Sequence, residues 1–192
     1  LTARLVIMGP QGAGKGTQAA RLAERLGVPA ISTGDIFRAN IKGGTDLGRL
    51  AQEYTAQGEL VPDSVTNDMV RDRLAQADAA EGFILDGYPR NAAQVTELDE
   101  ILAALGTRLD AVVELTADRD ELLARLRNRA QVEGREDDTE EAIARRLDIY
   151  AEQTAPLTTA YGERGLLVQV DGIGEIDEIT ARLTDALAPA LG

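Results

Sequence analysis

The residues best suited to chemistry stand near the start of the chain: Gly9-Pro10-Gln11-Gly12-Ala13-Gly14-Lys15-Gly16-Thr17. Glycines here let backbone N–H groups turn toward one point with no Cβ in the way. A short apolar run, Leu5 to Met8, precedes the loop, and a helical pattern with Leu22 and Leu26 on one face follows it. Strand, glycine loop, lysine, hydroxyl and helix make a phosphate cradle. The helix N-terminus adds partial positive charge at the same place. Lys15 offers a compact cation for terminal phosphates, and Thr17 a hydroxyl for a magnesium ion. The hydroxyl is one position later than in the strict pattern, because Gly16 follows the lysine. Lysine occurs only at positions 15 and 42, among 20 basic residues. A lysine kept at 15 suits a loop with no room for a planar guanidinium.

Other chemistry is excluded by what is missing. The chain has no cysteine, no histidine and no tryptophan, which removes thiolate nucleophiles, imidazole bases and any Cys/His zinc site. What remains is carboxylates, hydroxyls, Lys, Arg, backbone amides or a hard cation held by oxygens. Arginines are the second group of interest. Arg38 ends the run Ile31-Ser-Thr-Gly-Asp-Ile-Phe-Arg, and Arg90 ends Asp86-Gly87-Tyr88-Pro89-Arg90, with Gln94 one turn later. The guanidinium fork makes two parallel bonds to phosphate oxygens, so joining two phosphates in one cleft calls for arginines from several directions.

The elements that must position these groups follow from apolar patterning. Five short runs read as buried strands: Leu5 to Met8, Val28 to Ile31, Phe83 to Leu85, Ala111 to Leu115 and Leu166 to Val170. Between them lie helical patterns. Val95, Leu98, Leu102 and Leu105 follow one another at helical spacing, with Asn91 as the cap and Gly106 at the end. Ile143, Leu147 and Tyr150 belong to a helix opened by Thr139, and Ile176, Ile179, Leu183 and Leu187 to a last helix stopping near Pro189. Alternation of strands and helices predicts an α/β fold with a mostly parallel sheet and right-handed crossovers. Two stretches interrupt it. Residues 32–61 carry two short helical patterns broken at Gly43-Gly44 and Gly58, and residues 129–138 are polar and centred on Gly134. Both read as mobile excursions from the core.

The charge balance bounds the partners. There are 33 acidic against 20 basic residues, a net charge of −13, and no basic run, which argues against nucleic acid. No apolar stretch approaches the roughly 18 residues of a membrane span, and the first residues lack a signal-peptide pattern. A cytoplasmic location is the expectation.

Taken together, the GxxGxGKGT loop, STGDxFR, GELVPD, DGYPR, an arginine-rich lid and TAPL resemble, in that order, an adenylate kinase of the short-lid bacterial form. The resemblance implies a phosphate-loop core with a five-stranded parallel sheet covered on both faces, an AMP-binding insert and a short lid. It divides the chain into core (1–31, 62–128 and 139–192), insert (32–61) and lid (129–138). It implies that Gly12, Ala13, Gly14, Lys15, Gly16 and Thr17 wrap the ATP phosphates, with Arg129 from the lid and backbone at Gly174 beside the ATP adenine. On the AMP side it implies Thr33, Arg38, Glu59, Leu60, Val61, Gly87, Tyr88, Pro89, Arg90, Gln94, Arg135 and Arg146. Lys15, Arg90, Arg129, Arg135 and Arg146 would neutralise the transferring phosphoryl. Asp86 and Asp35 would orient waters around Mg²⁺, and no structural zinc is expected. The implied reaction is reversible transfer from Mg-ATP to AMP giving two ADP, by a monomer. In relatives the two lid arginines lie closer together; here Gln131-Val132-Glu133 widens the gap. A UMP or CMP kinase on the same scaffold is the nearest rival, and a non-catalytic ATP-binding regulator the next.

Overall fold

The computed structural model describes residues 2–134 and 139–191. Among them, five strands form one parallel sheet: β1 (Ala3–Met8), β2 (Ala30–Ser32), β3 (Gly82–Asp86), β4 (Ala111–Thr116) and β5 (Leu167–Asp171). Their order across the sheet is β2-β3-β1-β4-β5. Successive residues of β1 enter different cores: Leu5 and Ile7 pack on one face, Val6 and Met8 on the other. Burial on both faces is why the strands read as apolar runs without alternation. The expected α/β architecture is present.

Among the described residues eight α-helices surround the sheet: α1 (Lys15–Leu26), α2 (Thr33–Lys42), α3 (Asp46–Ala56), α4 (Asp63–Leu74), α5 (Ala92–Ala104), α6 (Arg119–Glu133), α7 (Glu140–Glu163) and α8 (Ile176–Leu191). Side chains of Ser32, Thr45, Asn91, Asp118 and Thr139 accept the amide three residues on and so cap α2, α3, α5, α6 and α7. The caps anticipated at Asn91 and Thr139 are among them. One cluster gathers α4, α5 and the second half of α7, through Met69, Leu98 and Leu157. The other gathers α1, α6, α8 and the first half of α7, through Leu22, Leu126, Leu183 and Leu147. Helix α7 thus belongs to both cores.

Several boundaries differ from the sequence reading, and three of them have a local physical reason. Strand β2 begins at Ala30, not Val28, because Pro29 has no N–H to give; its carbonyl instead accepts the Ile84 amide at 2.9 Å. Helix α6 continues to Glu133, so the first five residues of the 129–138 segment are helical. Helix α8 runs through Pro189 to Leu191, since a proline near a helix end removes one donor without ending the coil. Residues 135–138, including Arg135, Asp137 and Asp138, lie outside the described residues.

The two helices of the 32–61 insert touch at a glycine. A Cβ on Gly48 would lie 2.3 Å from the Asn40 carbonyl oxygen, so α2 and α3 approach more closely than any side chain allows. Gly48→Ala should destabilise the insert by about 1–3 kcal/mol. Amide exchange should quicken in α2 and α3 and stay slow in β1 and β4; uniform exchange would contradict this.

Candidate functional site

In a parallel sheet, ligands settle beyond the carboxyl ends of the strands, where the strand order reverses. Here that point lies around β1, which is flanked by β3 and β4. Register brings Ile7 opposite Asp86, Ser32 opposite Asp86, and Met8 opposite Glu114. The loops leaving these ends carry Gly12 to Gly14 and Gly87 to Arg90, and the helices that follow carry Lys15 to Thr17, Thr33, Asp35, Arg38 and Gln94.

The phosphate loop leaves β1 and enters α1 through Gly12 and Gly14, at φ of 90° and 82°. No side chain caps the first amides of α1, and its first turn holds no acidic residue. Those amides are therefore free of a local anion, as a phosphate would require. From the first turn, Lys15 Nζ reaches Asp86 Oδ1 at 2.5 Å. That carboxylate oxygen is buried and makes no aligned hydrogen bond, so the ammonium is its counter-charge.

Around this pair lies a cleft of about 390 Å³, lined by Gln11 and Lys15, by Gly87, Tyr88, Pro89 and Arg90 after β3, and by Arg146, Tyr150, Gln153 and Thr154 of α7. A second hollow of about 430 Å³ shares Gln11 and Lys15 and adds Gly12, Gly14, Gly16, Thr17, Arg125 and Arg129. Ala13 of the same loop is buried. Helix α6 presses on the loop: a Cβ on Gly12 would sit 3.1 Å from Leu126, and Arg125 Nη1 lies 3.4 Å from the Gly12 carbonyl. Arg125 was missed by sequence reasoning; its signal was the four-residue spacing to Arg129, which puts both on one helical face.

On the other side, Thr33 and Arg90 meet at Gly87, where a Cβ would be 2.9 Å from Thr33 Oγ1 and 3.5 Å from Arg90 Nη2. Arg90 donates its Nε–H to the Gly87 carbonyl at 2.9 Å. Gln94 is only 5% exposed and accepts the Arg90 amide at 2.7 Å. Arg38 does not line the cleft: its guanidinium pairs with Asp35 one turn back on α2. The Asp35 carboxyl is held below its ordinary range, first by that arginine and then by the Ser32 hydroxyl. Asp35 and Asp86 therefore each face a basic side chain. Glu59, Leu60 and Val61 form the return of the insert, with Leu60 93% exposed and Val61 packed against the core. Gly174 lines neither hollow; a Cβ there would meet Glu178 and Arg182 of α8. Its neighbour Gly172 lies against the Ala13 carbonyl of the phosphate loop.

Tyr150 stands at the wall of the cleft with its hydroxyl buried. Burial, helped by the charge of Glu114, pushes its pKa up to about 12. The phenol is neutral at physiological pH.

Comparison with known proteins places these features in a family. A family model described as adenylate kinase matches residues 7–166. The chain is 65% identical to an adenylate kinase of Kocuria rhizophila, over 96% of this chain and 98% of that protein. It is 63% identical to one of Bifidobacterium longum, over 96% and 99%. A third, from a Nocardioides species, is 62% identical over 96% of each chain.

The Tyr150 phenol has a linkage consequence. Its folded pKa lies above the unfolded value of about 10, so the native state holds the proton longer. The stability this contributes is complete below about pH 10 and is lost as pH rises toward about 12. Melting temperature followed across that range should fall less steeply in Tyr150→Phe than in the parent; parallel curves would refute the linkage.

Proposed function

Since this chain belongs to the adenylate kinase family, we propose that its phosphate loop and the arginines around Lys15 carry the phosphoryl group between two nucleotides. The enzyme is a phosphotransferase that exchanges a phosphoryl reversibly between ATP and AMP. The attacking atom is an oxygen of the AMP phosphate. It is already anionic, so no base is required, which agrees with a chain that has no histidine. A bond forms from that oxygen to the γ-phosphorus as the bond to the β-phosphate bridge breaks; the electrons leave with ADP. Phosphoryl transfer passes through a loose transition state, where positioning and charge matter more than covalent participation.

The observation that carries this division of roles is the shared cleft. Lys15, Arg90 and Arg146 line one hollow, which continues through Gln11 and Lys15 into the loop hollow holding Arg125 and Arg129. The loop amides and Lys15 would take the ATP phosphates, Arg129 and Arg135 would close over them, and Arg90 and Arg146 would face the transferring group. Arg38 would reach the AMP phosphate by releasing Asp35, on the same insert as Thr33. Glu59 to Val61, Gly87 to Pro89 and Gln94 would surround the AMP base and sugar, and Gly174 would border the ATP adenine. Magnesium enters with ATP as the substrate complex. Among the described residues no cluster of three carboxylates forms, so the ion would be held by phosphate oxygens and waters, with Asp86, Asp35 and Thr17 as oxygen partners beyond them. The insert 32–61 and the segment 129–138 would act as flaps on the remaining core, excluding water from the transfer. No helix among the described residues is long and apolar enough to cross a membrane. A cytoplasmic monomer is the form in which we expect it to act.

With Mg-ATP as donor, AMP should be phosphorylated at least about tenfold faster than CMP, UMP or GMP, as one base-pocket contact is worth about 1–3 kcal/mol. Equal rates with UMP would overturn the adenine reading. Lys15→Met should lower kcat by about a hundredfold or more while the circular dichroism spectrum is kept. Arg135→Ala should lower it by about two orders of magnitude; near-parental turnover would remove Arg135 from the site.

A further inference from the structure

One face of α4 is stitched to the loop and helix that follow β3. Asp63, Asn67 and Arg71 stand at successive four-residue steps along α4. The Asn67 side-chain oxygen accepts the Tyr88 hydroxyl at 2.7 Å, and Arg71 pairs with Glu97 of α5. At the head of this seam, Asp63 takes two hydrogen bonds: from Asn91 Nδ2 at 3.0 Å and from Gln94 Nε2 at 3.1 Å. Asn91 is itself fixed, because its side-chain oxygen caps α5 by accepting the backbone N–H of Gln94 at 2.8 Å.

A carboxylate can only accept. It therefore decides which end of the Gln94 side chain turns which way. The amide nitrogen faces Asp63, and the oxygen is committed to the Arg90 backbone N–H at 2.7 Å. One N–H of Gln94 then remains to meet a base. A donor at that place suits the unprotonated ring nitrogen of adenine or cytosine, and opposes the ring N–H of guanine or uracil.

We propose that Asp63 is a positioning residue for base selection, fixing the amide orientation of Gln94 from the point where the insert returns to the core. This rests on the reading of Gln94 as a base-contacting group. Asp63 touches neither nucleotide; it acts through Gln94 and, by way of the Gln94 oxygen, on the backbone of Arg90. Its place directly after Pro62 links the return of the insert to the same amide.

In Asp63→Asn a single oxygen must serve two donors, and the new amide nitrogen faces a donor. The Gln94 side chain loses its fixed orientation. The KM for AMP should rise about tenfold, with the KM for Mg-ATP within twofold and kcat changed less than KM. Discrimination of AMP against GMP and UMP should narrow severalfold, and Asp63→Glu should recover part of the loss. Gln94→Ala should raise the AMP KM by itself, and adding Asp63→Asn to it should cost little more, since both act through one amide. Asp46→Asn removes an equivalent first-turn acid from α3 and should leave the AMP KM unchanged. If Gln94→Ala raises the AMP KM and Asp63→Asn does not, the positioning role is wrong and the base-site reading stands. If Gln94→Ala has no effect, the base-site reading itself fails. An equal rise in Asp46→Asn would show general loosening of the insert and overturn the proposal.

Discussion

Two phosphates brought to bonding distance repel each other. At about 4 Å, each pair of unit charges costs about 4 kcal/mol at an effective dielectric of about 20. A fold that joins them must supply fixed positive charge from several sides, and here it would have to come from an acidic chain of net charge −13. The long-range field of the protein opposes the substrate, but physiological salt screens it beyond about 8 Å. Local geometry therefore decides the outcome. The parallel sheet provides it by ending β1, β3 and β4 at one edge, so that the phosphate loop, the Asp86 turn and the start of α6 converge.

Convergence has to be rigid to be useful, and the structure shows where the rigidity comes from. Directly behind the loop, Gln18 is 2% exposed and Thr180 fully buried. The Thr180 hydroxyl lies 2.7 Å from Gln18 Oε1, and Gln18 Nε2 donates to the Ile176 carbonyl at 3.1 Å. This contact fastens α1 to α8, across the loop that carries Gly172. A buried polar pair of this kind contributes only about 1 kcal/mol net, yet removing one member leaves the other unsatisfied at a cost of about 1–3 kcal/mol. Its value here is geometric. It sets the direction in which the first amides of α1 point. Helix α7 does the same on the opposite wall, with its two halves anchored in different cores and its middle turn presenting Arg146 and Tyr150 to the cleft.

How much of this the sequence discloses depends on how local each signal is. The phosphate loop, the Asn91 and Thr139 caps and the five strands are local in sequence, and each is legible from a window of a dozen residues. The end of α6 is not. Arg127 to Glu133 lacks apolar periodicity, so its helix rests on good helix formers and on the Arg129–Glu133 pair four residues apart. The second half of α7 is hidden by Pro156, whose interior position propensity alone would reject. Asp63 stands in a recognisable stretch, yet its partner Gln94 is 31 residues away, a contact that only the packing of α4 on α5 creates. Arg38 shows the converse. Its place in the chain suggests a phosphate ligand, while its nearest charge is the Asp35 carboxylate.

That pairing recurs, and it bears on how cations can be gathered before a polyanion arrives. Lys15 faces Asp86, Arg38 faces Asp35, and Arg129 faces Glu133. These three cations are thus each held by a carboxylate of their own chain, which lessens their mutual repulsion, whereas Arg90 donates to the Gly87 carbonyl. The Arg38 and Arg129 pairs are largely solvent-exposed, and pairs of that kind are worth about 0–1 kcal/mol. A charge-assisted bond to phosphate is worth about 1.5–3 kcal/mol, so a phosphate would win the exchange and leave the carboxylate to be solvated. The Lys15–Asp86 pair is different. It is the less exposed of the three, and Asp86 Oδ1 is buried. Moving the ammonium wholly onto phosphate would strand that oxygen without a counter-charge. Lys15 is therefore best placed to share its three donors between Asp86 and a phosphate, whereas the arginines can change partners outright.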